Sequence, residues 1–114
     1  MSVREEIAAA ASSVLGLTGH PYVVGDTSPG TVYPRVERID YPNAFGGVVF
    51  YNVVLVLPQD YAEAEQYLEQ KLPDLKGALE PHLVITSVQP QRLQLDGIGV
   101  LPVAFINGHR EADS

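Results

Sequence analysis

Residues 48–57 read Val-Val-Phe-Tyr-Asn-Val-Val-Leu-Val-Leu, the most apolar stretch of the chain and one rich in β-branched and aromatic side chains. Such residues suit a pleated, packed surface better than a helix. A period of two puts Val49, Tyr51, Val53, Leu55 and Leu57 on one face and Val48, Phe50, Asn52, Val54 and Val56 on the other. A strand apolar on both faces is expected to be central and covered on both sides. Gly46-Gly47 opens it and Pro58 closes it.

Upstream, Ser2 with Glu5 three residues later is a capping box, and Val3, Ile7, Ala10, Ala11, Val14 and Leu15 follow at helical spacing. The spacing predicts a helix ending near Gly16, its alanine-rich face lying against a sheet. Residues 18–47 are less regular. Tyr22-Val23-Val24 reads as a short strand and Asp26-Thr27-Ser28-Pro29-Gly30 as a turn or loop. Thr31–Asp40 alternates as a strand, which Pro34 assigns to an edge or a bulge because proline cannot donate to a ladder. Tyr41-Pro42-Asn43-Ala44-Phe45 reads as a second turn.

Downstream, Asp60 caps a helix with Glu63 at its third position, and Tyr61, Ala64, Tyr67, Leu68 and Leu72 form an apolar stripe. Pro73 predicts a break, followed by a second helical piece over Asp74–Glu80 that Pro81 ends. Leu83–Val88 alternates as a strand, and Arg92–Leu95 continues it in shifted phase, which predicts a bulge near Gln89-Pro90. Asp96-Gly97 is a hairpin signal, and the return strand is expected from Ile98 to about Asn107 with a frayed polar tail from Gly108. The order predicts one α+β domain over residues 1–114: a largely antiparallel sheet, with an N-terminal helix and a central broken helix packed on it, and a closing β-hairpin.

Composition narrows the function classes. The 114 residues are 46% hydrophobic and 18% charged, a globular balance. The absence of cysteine excludes disulfides and thiolate chemistry. The net charge of −7, with seven scattered Lys and Arg, argues against specific nucleic-acid binding, which draws on a basic patch. No leader is visible in Ser2-Val3-Arg4-Glu5-Glu6, and no segment reaches the ~20 apolar residues of a membrane helix. The chain is expected to be made in the cytoplasm.

The residues that could carry chemistry do not converge. His20, His82 and His109 are isolated, so no metal site is expected. Glu63, Glu65 and Glu69 fall on the polar face of an amphipathic helix and read as solvated. Ser12-Ser13, Ser28 and Ser87 lack a nucleophile elbow, and Gly97-Ile98-Gly99 leads into a strand rather than the helix a dinucleotide fingerprint must open. No catalytic residue or cofactor follows. The aromatic residues Tyr22, Tyr33, Tyr41 and Phe45 in and beside the irregular segment read either as core packing or as a protein–protein surface.

Three stretches carry a resemblance. Met1–Ala10, Leu57-Pro58-Gln59-Asp60 leading into an Ala- and Glu-rich helix, and Leu83–Pro90 followed by a hairpin together resemble the tail terminator (tail completion) proteins of long, non-contractile-tailed actinobacteriophages. The resemblance implies an α+β virion subunit without enzymatic activity. It implies a hexameric ring at the head-proximal end of the tail, which sits on the major tail tube protein, stops its polymerisation and meets the head–tail connector. DNA would pass through such a ring, and six copies would carry −42 formal charges, which repel it. Tyr33, Tyr41 and Phe45 are the expected subunit-interface residues. A head–tail connector or stopper subunit is the alternative within the virion. A small cytosolic ligand-binding domain or enzyme is the alternative of another class.

Overall fold

The computed structural model describes residues 2–23, 27–43, 46–95 and 99–111. They form an α+β fold of two helices on one face of a five-stranded sheet. The elements are α1 (Val3–Ser12), β1 (Thr18–Gly19), β2 (Thr31–Asn43), β3 (Gly46–Val56), α2 (Tyr61–Leu79), β4 (Val84–Leu95) and β5 (Gly99–Glu111). The sheet order is β1-β2-β3-β5-β4, and every pairing is antiparallel except the short parallel one of β1 with β2. The 48–57 run lies within and just beyond β3, between β2 and β5, as its two apolar faces require.

The two faces of β3 are covered differently. Val53 and Leu55, with Val32, Ala104 and Ile106 from neighbouring strands, pack against Ile7 and Ala11 of α1 and Ala64, Leu75 and Leu79 of α2. On the opposite face Val54 and Val56 are fully buried, yet no helix lies over them among the described residues. Tyr33, Leu101 and Val103 shield them, with Leu93 and Phe105 half-buried around the cluster. The expected cover on both sides is therefore a helix layer on one side and neighbouring strand side chains on the other. Large side chains flanking small β-branched ones exclude water from a cluster of this size without a second layer.

The capping box of α1 forms: the Ser2 hydroxyl accepts from the Glu5 N–H, and the Glu5 carboxylate accepts from the Ser2 N–H at 3.2 Å. That bond and the Ser2 hydroxyl hold the Glu5 carboxyl below its ordinary range. The helix ends at Ser12, short of Gly16, and Leu15 projects into solvent while Leu17 takes the core position. Gly19 lies so close to the Ala8 carbonyl that any Cβ would overlap it, which is how α1 seats directly on β1.

Helix α2 runs unbroken through Pro73, contrary to the expected break. Ala64, Leu68, Leu72, Leu75 and Leu79 make one continuous apolar stripe across the proline, and all pack into the core. Pro73 is on the exposed side, where water can satisfy the carbonyl that loses its N–H partner. Burial of two turns of stripe on either side outweighs one lost hydrogen bond.

Other differences concern edges. Residues 22 and 23 form no strand and are exposed. The strand there is Thr18–Gly19, and Val24, Gly25 and Asp26 lie outside the described residues. Tyr41 and Pro42 continue β2 rather than turning, and the register runs to Asn43 opposite Gly46. The phase shift in β4 falls between Ile85 and Ser87, not at Gln89-Pro90, so that Ile85 and Val88 both reach the helix side. Residues 108–111 are part of β5, all paired with β3 and the first two also with β4, rather than a frayed tail. The hairpin is present, paired to Leu95 opposite Gly99. Asp96 and Gly97 themselves lie outside the described residues.

Candidate interaction surface

Among the described residues the order β1-β2-β3-β5-β4 leaves two open edges of different sequence: β4, and β2 beyond its short pairing with β1. Hydrogen bonds define which groups each edge presents. On β2, the Val32 carbonyl accepts from the N–H of His20, just after β1, and the Pro34 carbonyl accepts from Arg4 at 3.1 Å. Residues two apart on a strand point their polar groups to the same side. Residues 32, 34 and 36 therefore face outward, and Pro34 puts its hydrogen-free nitrogen on the open edge, as its sequence position led one to expect. Among the described residues β1 covers only Thr31 and Val32, and β2 is open from there to its end.

On β5, the Pro102 carbonyl accepts from the Leu57 N–H and so points toward β3, as does the polar pair of Ala104. Pro90, opposite Ala104, therefore sits in a wide pair and turns its nitrogen to the outside of β4. Each open edge thus carries a proline with its missing donor outward, a device that limits indiscriminate strand pairing.

The edges also carry the exposed apolar side chains. Val36, Ile39 and Tyr41 on β2 are 40%, 45% and 72% exposed, and Val84 at the start of β4 is 59% exposed. The Tyr41 ring lies against Gly47, where a Cβ would come within 3.0 Å of it, so the ring covers a glycine of β3 while its other side meets solvent. Among the three residues expected at a subunit interface, Tyr41 is on this surface. Tyr33 is buried in the cluster on the helix-free face, where desolvation raises its phenol above the ordinary value against a smaller opposing effect of Arg35. Phe45 lies outside the described residues. Val36, Ile39 and Val84 escaped the sequence reading because aliphatic residues in alternating strands carry no mark of which strand is at the edge.

Two concave regions flank the edges. The helix-free face forms a shallow depression of about 500 Å³ from β2 to β4, lined by Glu37, Arg38, Phe50, Asn52, Ser87, Gln89, Gln91, Phe105 and Asn107. Arg38 lies 3.9 Å over the Phe50 ring and pairs with Glu37 and Asp40. On the helix side a groove of about 450 Å³ separates the start of α2 from β4 and β5. Leu57, Tyr61, Leu68, Pro90 and Pro102 line it, with Arg92 4.0 Å over Tyr61. Among the described residues Glu65 and Arg92 are its only ionisable lining groups besides the Tyr61 phenol. Among the described residues no three His, Asp or Glu side chains converge as a metal ion requires. No helix of the described residues is long and apolar enough to cross a membrane.

The charge is unevenly divided. Glu5, Glu6, Glu63, Glu65, Glu69, Asp74 and Glu80 outnumber Arg4, Lys71 and Lys76 in the helix layer and its ends, whereas on β2 Arg35 and Arg38 are balanced by Glu37 and Asp40. Glu6 ties α1 to the end of β5 through Arg110 at 3.2 Å. Compared with protein-family models and with curated proteins, the chain matches none.

Proposed function

We propose that the chain is a ring-forming structural subunit of the tail-terminator kind. It would cap the tail tube of a virion, stop tube polymerisation and offer a joining surface to the head–tail connector. The observation that carries this reading is the relation of the two open edges. Across β2, β3, β5 and β4 the strand direction alternates, so β2 and β4 run opposite ways. A second copy set beside the first without being turned over therefore brings its β4 against β2 in the antiparallel sense. Unlike edges that meet head to tail make a heterologous contact, which closes into a ring when the rotation between copies allows it. The activity is then geometric: one rim of the ring matches the tube and the other does not.

Charge supports the same reading. A subunit of −7 gives a strongly anionic ring, and such a wall repels nucleic acid in transit rather than holding it. The resemblance of the opening helix, the Leu57–Asp60 entry into α2 and the Leu83–Pro90 strand to terminator proteins points the same way.

The test is electron microscopy of lysates from the parent phage with this gene deleted. The expected outcome is tail tubes of irregular excess length beside tailless heads. Tails of normal length left unattached to heads would assign the chain to the connector instead. Normal infectious particles would overturn a structural role.

A further inference from the structure

Resting on the ring reading above, we propose that copies join through one half of each edge: the part of β2 after Pro34 in one copy pairs with the part of β4 before Pro90 in the next. The ladder rows place these two stretches at the same end of the sheet. Val36 stands opposite Tyr51, Tyr51 opposite Gly108, and Gly108 opposite Ile85. In the next row Arg38, Phe50, His109 and Val84 are aligned. Residues 36–38 and 84–85 are therefore level with each other on opposite edges of one molecule. Copies repeated side by side bring them together with no stagger.

The half of β2 before Pro34 is closed. On β2 the segment before Pro34 is occupied by β1, and the N–H of His20 just after it already takes the Val32 carbonyl. Arg4 takes the Pro34 carbonyl, and the proline nitrogen has nothing to donate. On β4 the outward nitrogen of Pro90, level with Val32, ends the run of donors at that same end. The open stretches are also where apolar side chains meet water: Val36 and Ile39 on one edge, Val84 on the other. Val36 and the half-buried Ile85 lie on the helix side in the same row, so the contact adds an apolar cross-strand pair to the backbone bonds. The partner is thus a second copy of this chain, engaged over a short ladder that both prolines limit at one end, Pro34 being level with Val88 and Pro90 with Val32. Such a contact is selective for unlike edges because neither stretch is level with itself in a neighbour of the same orientation.

The chain contains no cysteine, so single introduced thiols report unambiguously. Arg38→Cys and Val84→Cys chains are made separately and also co-expressed, and each sample is treated with a short bismaleimide. The expected result is a covalent dimer from the co-expressed pair and none from either variant alone. Adding Val36→Pro, which removes one outward donor without touching the β3 ladder, should lower the cross-linked fraction about tenfold, the equivalent of one hydrogen bond of about 1.4 kcal/mol. Dimers from a single variant would mean like edges pair and would overturn the proposal, as would no cross-link in the co-expressed sample. Tail length in the deletion lysate decides the ring reading separately, so either conclusion can fail without the other.

Discussion

Tyr33 shows how one side chain serves the sheet. It is 7% exposed and lies against Val54 on the face without helices, where it replaces part of the missing layer. Burial disfavours the phenolate, so its pKa is raised above the ordinary 10.0. A group that holds its proton longer in the folded state stabilises the fold fully below the unfolded value. That stability is lost as pH rises through the folded value. Tyr67, raised by desolvation alone, adds in the same direction. Denaturant unfolding measured at pH values of about 9 and about 11, either side of the free tyrosine value, should show a fall in stability for the natural chain. The fall should be smaller for Tyr33→Phe. An equal fall in both would show that the phenol is not a source of the alkaline loss.

At the scale of elements, α2 is a conflict between local rule and packing that packing wins. Proline inside a helix costs about 3 kcal/mol relative to alanine because it removes an N–H and crowds the preceding turn. The helix persists because Leu68 and Leu72 on one side of Pro73, and Leu75 and Leu79 on the other, share one core. Pro73→Ala should therefore raise stability by about 1–3 kcal/mol, read as a higher denaturant midpoint with an unchanged slope. No gain would mean that the helix bends at this point and that the bend is fitted to the sheet.

For the whole molecule, charge and edges act against each other. Every copy carries −7, so bringing copies together costs electrostatic work that salt reduces. The bonds that would join them are backbone and apolar contacts, which moderate salt does not weaken. Self-association measured by analytical ultracentrifugation should therefore strengthen as sodium chloride rises from about 0.02 M to about 0.3 M, a range over which the Debye length falls severalfold. Weakening with salt would show that opposite charges, such as Arg35 and Arg38 against the acidic helix layer, drive the contact instead.

Alternation in 48–57, the capping box of Ser2 and Glu5, the Asp60 cap and the Asp96-Gly97 signal determined the α+β class, the position of the central strand and the closing hairpin. These features are local: each is a periodicity or a hydrogen bond within a few residues. Pro34 even marked its strand as an edge, because a missing donor has one meaning wherever the strand lies. What the local patterns did not contain was anything set by the neighbour across a ladder. Tyr33 and Tyr41 are both tyrosines of one strand, yet one faces Val54 in the dry cluster and the other lies over Gly47 in solvent. The unbroken α2, the extension of β5 to Glu111 and the alignment of Val36 with Ile85 across four strands all depend on contacts far apart in the chain. Tertiary structure decided them because burial and register are properties of pairs of segments, and a single segment carries only its own half of each pair.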